Sequence, residues 1–286
     1  MSRIKKLPAE VETAADAGYP LGRALLGEFV GTYLLVLIGT GCVASAVLTG
    51  AQMGQWQVAV VWGFGVAIAI YVSAGMSGAH LNPAVSLALA LLRPQYFPIN
   101  RLLPYVLAQL AGAMAAAATV AVLFWPFFER FEAEHGLVRG QPGSQLSAMV
   151  FGEYFPNPAM FGTGPEAAAL VSPWHAAAVE AFGTGVLVFV IFALTSPRNA
   201  SAPPAGMTPF FIGFTVAVLI SLFSPITQAG WNPARDFGPR LVAFALGWGE
   251  VAIPGPNGAF WPYIVGPLVG GPLGGLLWQR LSGDGA

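Results

Sequence analysis

Two asparagines, Asn82 and Asn232, each open the tripeptide Asn-Pro-Ala after a long uncharged stretch: Asn82-Pro83-Ala84 and Asn232-Pro233-Ala234. Asparagine is a favoured helix N-cap because its side-chain oxygen accepts an orphan backbone N–H. Proline suits the first helical position, where its missing N–H costs nothing. Each tripeptide therefore ends one segment and starts another helix, with a side-chain NH₂ left to donate. Such a group recognises a hydrogen-bonding guest; it does not make or break bonds. No nucleophile stands beside a base, no Cys-rich or His-rich cluster suggests a metal, and no glycine loop suits a phosphate. No cofactor, no metal site and no enzymatic activity are expected. His80, beside the first cap, has no second ligand near it in sequence and reads as hydrogen-bonded scaffold.

The residues just before the caps, Gly78-Ala79-His80 and Gln228-Ala229-Gly230, are expected to run extended with their carbonyls exposed as acceptors in single file. Glu28 and Glu180 interrupt two otherwise apolar stretches, each roughly fifty residues ahead of its asparagine. Intramembrane acids often carry protons. The mirrored placement of these two favours a static role, accepting backbone N–H groups of the loop before each cap.

The elements that position these groups follow from composition. Of 286 residues, 56% are hydrophobic and only 9% charged, against about 25% charged in an ordinary soluble domain. Residues 56–76, 102–128, 207–227 and 259–279 contain no Asp, Glu, Lys or Arg, and 24–48 and 174–195 contain one glutamate each. Each reaches the ~20 residues needed to cross a bilayer. Six helices apolar on every face do not suit a soluble bundle. A net charge of −1 without a basic stripe speaks against nucleic acid, and the one cysteine, Cys42, excludes an internal disulfide.

Eight basic residues (Arg3, Lys5, Lys6, Arg23, Arg93, Arg101, Arg198, Arg280) fall on one side of the six spans, which predicts cytoplasmic termini. The polar segment 1–20 does not read as a cleaved signal, so the first span is expected to serve as the uncleaved one.

The chain repeats itself. Glu28-Phe29-Val30-Gly31-Thr32 parallels Glu180-Ala181-Phe182-Gly183-Thr184, and each half reads as span, span, broken segment, span. An odd number of spans per half gives the halves opposite orientations. The expected organisation is a tail (1–21), a first repeat (22–127) with half-helix 83–92, a long external loop (128–173), a second repeat (174–280) with half-helix 233–246, and a tail (281–286). The fold class is thus an all-α membrane protein with six transmembrane helices and two re-entrant half-helices in an inverted repeat. The half-helix N-termini should meet mid-membrane, where two positive helix ends disfavour cations. A third Asn-Pro-Ala, Asn157-Pro158-Ala159, lies in the polar loop without an apolar half-helix after it and is read as an external loop element.

These features resemble the major intrinsic proteins, the aquaporins and glycerol facilitators, over about residues 22–280. The resemblance implies a passive channel in each protomer of a homotetramer. Arg235-Asp236-Phe237-Gly238-Pro239-Arg240, Pro267-Leu268 and the Tyr154–Pro158 run are similar to the aquaglyceroporin branch. By spacing from the asparagines it implies a selectivity filter of Trp62, Ile220, Ala229 and Arg235. Ile220 stands where water channels place histidine, and Ala229 departs from the aromatic frequent in glycerol facilitators. Such a quartet is similar to that of some plant nodulin-like intrinsic proteins. Trp62 and Ile220 would form an apolar wall, and Arg235 would donate to hydroxyls and repel cations. Asp236 is expected to order Arg235 and its loop.

The expected function is facilitated diffusion of glycerol, water and other small neutral solutes such as urea or ammonia through a lipid membrane (plasma or inner). Alternatives are a water-selective pore, a proton-coupled secondary transporter, and a structural junction protein with a residual pore.

Overall fold

The computed structural model describes residues 19–52 and 54–283. The basic residues Arg3, Lys5 and Lys6, most of the N-terminal tail and residues 284–286 lie outside them. The first half contains α1 (Leu21–Thr49), α2 (Gln55–Ser77), the short α3 (Pro83–Leu92) and α4 (Leu102–Glu134). Three short helices follow in the connecting loop: α5 (Gln145–Ala148), α6 (Pro158–Phe161) and α7 (Pro165–Leu170). The second half repeats the order with α8 (Pro173–Leu194), α9 (Thr208–Thr227), the short α10 (Pro233–Ala243) and α11 (Pro262–Ser282). No strand occurs among the described residues.

Packing follows the same symmetry. α1 lies against α2 and α4, α8 lies against α9 and α11, and α2 meets α9 across the middle. The half-helices are exchanged: α3 packs on α11 of the second half and α10 on α4 of the first. Each short helix packs more extensively on the opposite half than on its own, which ties the two repeats together.

Local chemistry sets the breaks. α2 ends at Gly78 in the left-handed region (φ 83°), and α9 ends at Gln228 (φ 59°). α3 and α10 start on Asn82 and Asn232 with proline next, and both caps accept the N–H two residues on, at 2.8 and 3.1 Å.

Two boundaries differ from those read in the sequence. α4 continues past Phe127 to Glu134, where Arg130 pairs with Glu134 one turn on at 2.7 Å. α10 ends at Ala243 rather than 246, the chain passing into a wider π turn (Phe244–Trp248) that Gly247 opens at φ 103°. By hydropathy alone, five helices among the described residues are long and apolar enough to cross a membrane: α1, α2, α4, α8 and α9. The sixth expected span, α11, has 21 residues, but Gly and Pro occupy eight positions that would otherwise carry larger apolar groups. Those glycines admit α8: a Cβ at Gly270 or Gly274 would fall well under 3.0 Å from the backbone oxygen of Ala181 or Gly185.

Candidate functional site

The N-termini of α3 and α10 face each other. Asn82 Nδ2 donates to the carbonyl of Trp231 at 2.9 Å, and Asn232 Nδ2 donates to the carbonyl of Leu81 at 2.7 Å. Each asparagine thus caps its own helix with its oxygen and clasps the opposite loop with one amide hydrogen. The sequence reading left the whole NH₂ free; one of its two hydrogens is committed to the other repeat.

The loops before the caps are not simply extended. Ala79 and Leu81 (φ 55° and 53°) are left-handed, and so are Ala229 and Trp231 (φ 65° and 46°). For residues with a Cβ this conformation costs about 1–2 kcal/mol apiece. Two buried carboxylates hold it. Glu28, with no exposed surface, accepts from Ser77 Oγ (2.6 Å), His80 N (2.9 Å), Leu81 N (2.7 Å) and Gln109 Nε2 (2.7 Å). Glu180, equally buried, accepts from Gly230 N (3.0 Å) and Trp231 N (2.6 Å), and hydrogen-bonds the Thr227 side chain. With the N–H groups turned to the carboxylates, the carbonyls of these residues turn elsewhere. His80 stacks among Phe97 and Tyr105, its Nδ1 3.1 Å from Ser86 Oγ.

A cavity of about 1270 Å³ runs between the halves, from Tyr96, Arg93 and Arg198 inward past Asn82 and Asn232. Gly78, Ala79, His80, Ala229 and Gly230 line it. Gln228 does not: its side-chain oxygen accepts from Tyr154 N at 2.7 Å, tying the connecting loop to the end of α9. Leu81 and Trp231, which the sequence did not single out, line it instead. Trp62, Ile220, Ala229 and Arg235 all line this cavity, from three helices and a loop. The guanidinium of Arg235 lies 4.1 Å from the ring centre of Trp62. That separation suits a cation–π contact.

Arg235 is held from the connecting loop. Its Nη2 pairs with Glu153 Oε1, and its Nη1 reaches the Phe151 carbonyl at 3.5 Å. Of the expectation that Asp236 orders Arg235 and its loop, the direct contact is with the loop and not with Arg235: Asp236 accepts from Arg240 Nε (2.7 Å) and Glu153 N (2.8 Å). Four residues apart on a helix, Asp236 and Arg240 share a face, whereas Arg235 points a hundred degrees away. Asp236 therefore acts on Arg235 at one remove, by fixing the backbone of Glu153. Arg240 also donates to the carbonyls of Ala252 (2.9 Å) and Glu153. Burial pushes the Glu153 carboxyl well above its usual range, the Arg235 guanidinium pulls it down, and nearby Asp236 raises it further. Burial likewise raises the Tyr154 phenol to about 12.

Glu153 was missed in the sequence. Its signal was an acid inside the apolar run Val150-Phe151-Gly152-Glu153-Tyr154-Phe155. Gln109 was missed too, a polar residue in the charge-free stretch 102–128 that reaches Glu28 and Ser86 Oγ (3.0 Å).

The third Asn-Pro-Ala also starts a helix, the single turn α6. Asn157 Oδ1 accepts from Ala159 N at 3.0 Å, while its Nδ2 donates to the Ser224 carbonyl at 3.2 Å. It thereby fastens the loop to the last turn of α9.

Comparison with known proteins agrees with this geometry. The chain is 43% identical over 265 residues to the glycerol uptake facilitator protein of Pseudomonas aeruginosa, covering 93% of this chain and 88% of that protein. It is 41% identical over 262 residues to that of Escherichia coli K12 (90% and 87% covered). It is 39% identical over 262 residues to the propanediol uptake facilitator of Citrobacter freundii (90% and 91%). Among solved structures, the aquaglyceroporin from Plasmodium falciparum superposes with a TM-score of 0.76 at 26% identity, covering 92% of this chain and 97% of that one. The sequence profile of the major intrinsic protein family matches residues 18–278, and the chain belongs to that family.

Proposed function

We propose that this protein is a passive membrane channel for glycerol and other small uncharged solutes, with water also passing. One observation carries the proposal: two asparagine-capped helix ends, one from each repeat, meet beside a single cavity. Each helix end carries about half a unit of positive charge. Together they oppose a cation while the second amide hydrogen of each asparagine and the loop carbonyls serve a neutral hydroxyl guest.

Trp62, Ile220, Ala229 and Arg235 form the selectivity filter in this reading. The Trp62 ring and Ile220 supply an apolar wall for a carbon backbone, and Arg235 supplies donors for hydroxyl oxygens. Ile220 lacks the polar, narrowing ring of a histidine, which favours a polyol pathway over a water-only one. Glu153 balances the charge of Arg235, so cation rejection falls mainly on the two helix ends.

Glu28 and Glu180 act as scaffold. Both are fully buried and engaged with their loops, which weighs against a proton relay. Channel action rather than catalysis, a homotetrameric assembly, and an inner-membrane location with cytoplasmic termini complete the reading. The relatives, glycerol and propanediol uptake facilitators, point to the same solute class.

Stopped-flow light scattering on proteoliposomes tests it. Glycerol flux should follow the glycerol gradient without saturating and be indifferent to a proton gradient. Flux that collapses when the proton gradient is removed would establish the coupled-transporter alternative instead.

A further inference from the structure

The aromatic wall of the filter rests on a position that has no side chain. Leu35 lines the cavity, and Gly39 lies one turn further along α1. Residues i and i+4 of a helix share a face, so Gly39 also points toward the passage, and the indole of Trp62 covers it. A Cβ at Gly39 would fall well under 3.0 Å from Cε3, Cζ3 and Cη2 of Trp62, a separation that real Cβ atoms essentially never show. These three carbons form the outer edge of a rigid ring, not the end of a flexible chain.

The ring has little room to retreat. Its helix, α2, is pressed backbone to backbone on α9, since a Cβ at neighbouring Gly63 would come within 2.5 Å of the Gly213 carbonyl oxygen. Its face is bounded by the Arg235 guanidinium. The unfilled direction is the cavity that Trp62 lines.

We propose that Gly39 is a positioning residue for solute specificity. By leaving no side chain beneath Trp62, it sets how far the indole reaches into the passage that Trp62 and Arg235 both line, and so the largest polyol admitted. The proposal rests on the reading of Trp62 as part of the filter. A methyl group at position 39 displaces the indole edge by roughly 1 Å, since a packed interior absorbs an added carbon only by moving its neighbours. A solute that slides its carbons along that ring feels the change more than water does.

The experiment compares native protein with Gly39→Ala, Trp62→Phe, the double variant, and Gly41→Ala in proteoliposomes. Glycerol and water permeabilities are measured on the same vesicles and normalised to inserted protein. Gly41 is the control, because a Cβ there meets only Val120 Cγ2 at 4.0 Å, an ordinary contact. Gly39→Ala should lower the glycerol-to-water ratio several-fold, and Gly41→Ala should keep the native ratio. A phenyl ring stops short of the indole edge, so adding Gly39→Ala to Trp62→Phe should change nothing further. If Gly39→Ala inserts poorly, the double variant should restore insertion.

A native ratio in Gly39→Ala overturns the proposal. So does the same drop in the Trp62→Phe background, or failure of the double variant to recover insertion. A native ratio in Trp62→Phe itself overturns the filter reading and the proposal with it, which separates the two failures.

Discussion

Replacing Glu28 with glutamine tests whether the buried acids are scaffold. The substitution is close to isosteric but turns one carboxylate oxygen into a donor. Four donors converge on Glu28, two on each oxygen. With the NH₂ at the Oε1 position, the Ser77 hydroxyl can rotate to accept, but His80 N–H cannot. With the NH₂ at Oε2, Gln109 can turn its otherwise unbonded Oε1 toward it, but Leu81 N–H cannot. Either way one buried backbone N–H is orphaned, at about 1–3 kcal/mol. The three remaining bonds lose their charge assistance, which roughly halves their strength.

The total, about 3–7 kcal/mol, matches or exceeds the ~2–4 kcal/mol stored in left-handed Ala79 and Leu81. The loop should therefore relax out of its strained path. In detergent the variant should melt earlier by intrinsic tryptophan fluorescence. In proteoliposomes its water and glycerol fluxes should fall together, because the carbonyl row serves both. A proton carrier behaves differently, losing only coupling while keeping its stability. Native melting with native flux would refute the scaffold argument.

Three further outcomes follow from the site. Ile220→His places a polar ring on the apolar wall and should suppress glycerol flux more than water flux, as paired stopped-flow measurements would show; equal losses would undermine the steric account. Asn232→Ala removes the acceptor for Ala234 and Arg235 N–H and the donor to Leu81. It should cost about 1 kcal/mol of stability and lower water flux, whereas unaltered flux would detach the amide from conduction. Acidifying the external-loop side should reduce glycerol flux as Glu153 takes up a proton and releases Arg235 toward the passage. The ion pair exists above the Glu153 pKa and is lost as pH falls through it. Because burial raises that pKa, the loss begins above the ~4.3 of an ordinary glutamate. Glu153→Gln should give low flux with a flat pH profile; a native profile in that variant would remove Glu153 from the mechanism.

The caps and most of the spans were legible because their causes are local. Asparagine then proline specifies a helix start wherever it falls, and long charge-free stretches specify burial in lipid or protein. The same locality explains the errors. The loops before the caps looked extended because the left-handed path at Ala79 and Ala229 depends on Glu28 and Glu180, some fifty residues away.

By itself the amino-acid order determined where the backbone breaks, which atoms cap it, and that two such breaks sit in mirrored settings. Folding alone decided what those atoms meet. Leu81 and Trp231 became acceptors for asparagines of the opposite repeat, Glu153 rather than Asp236 took Arg235, and Gly39 came to lie beneath Trp62. Capping depends on bonds within a few residues and leaves a pattern in the chain. Partners separated by tens to well over a hundred residues are chosen by how closely helices can approach, and that choice has no local signature.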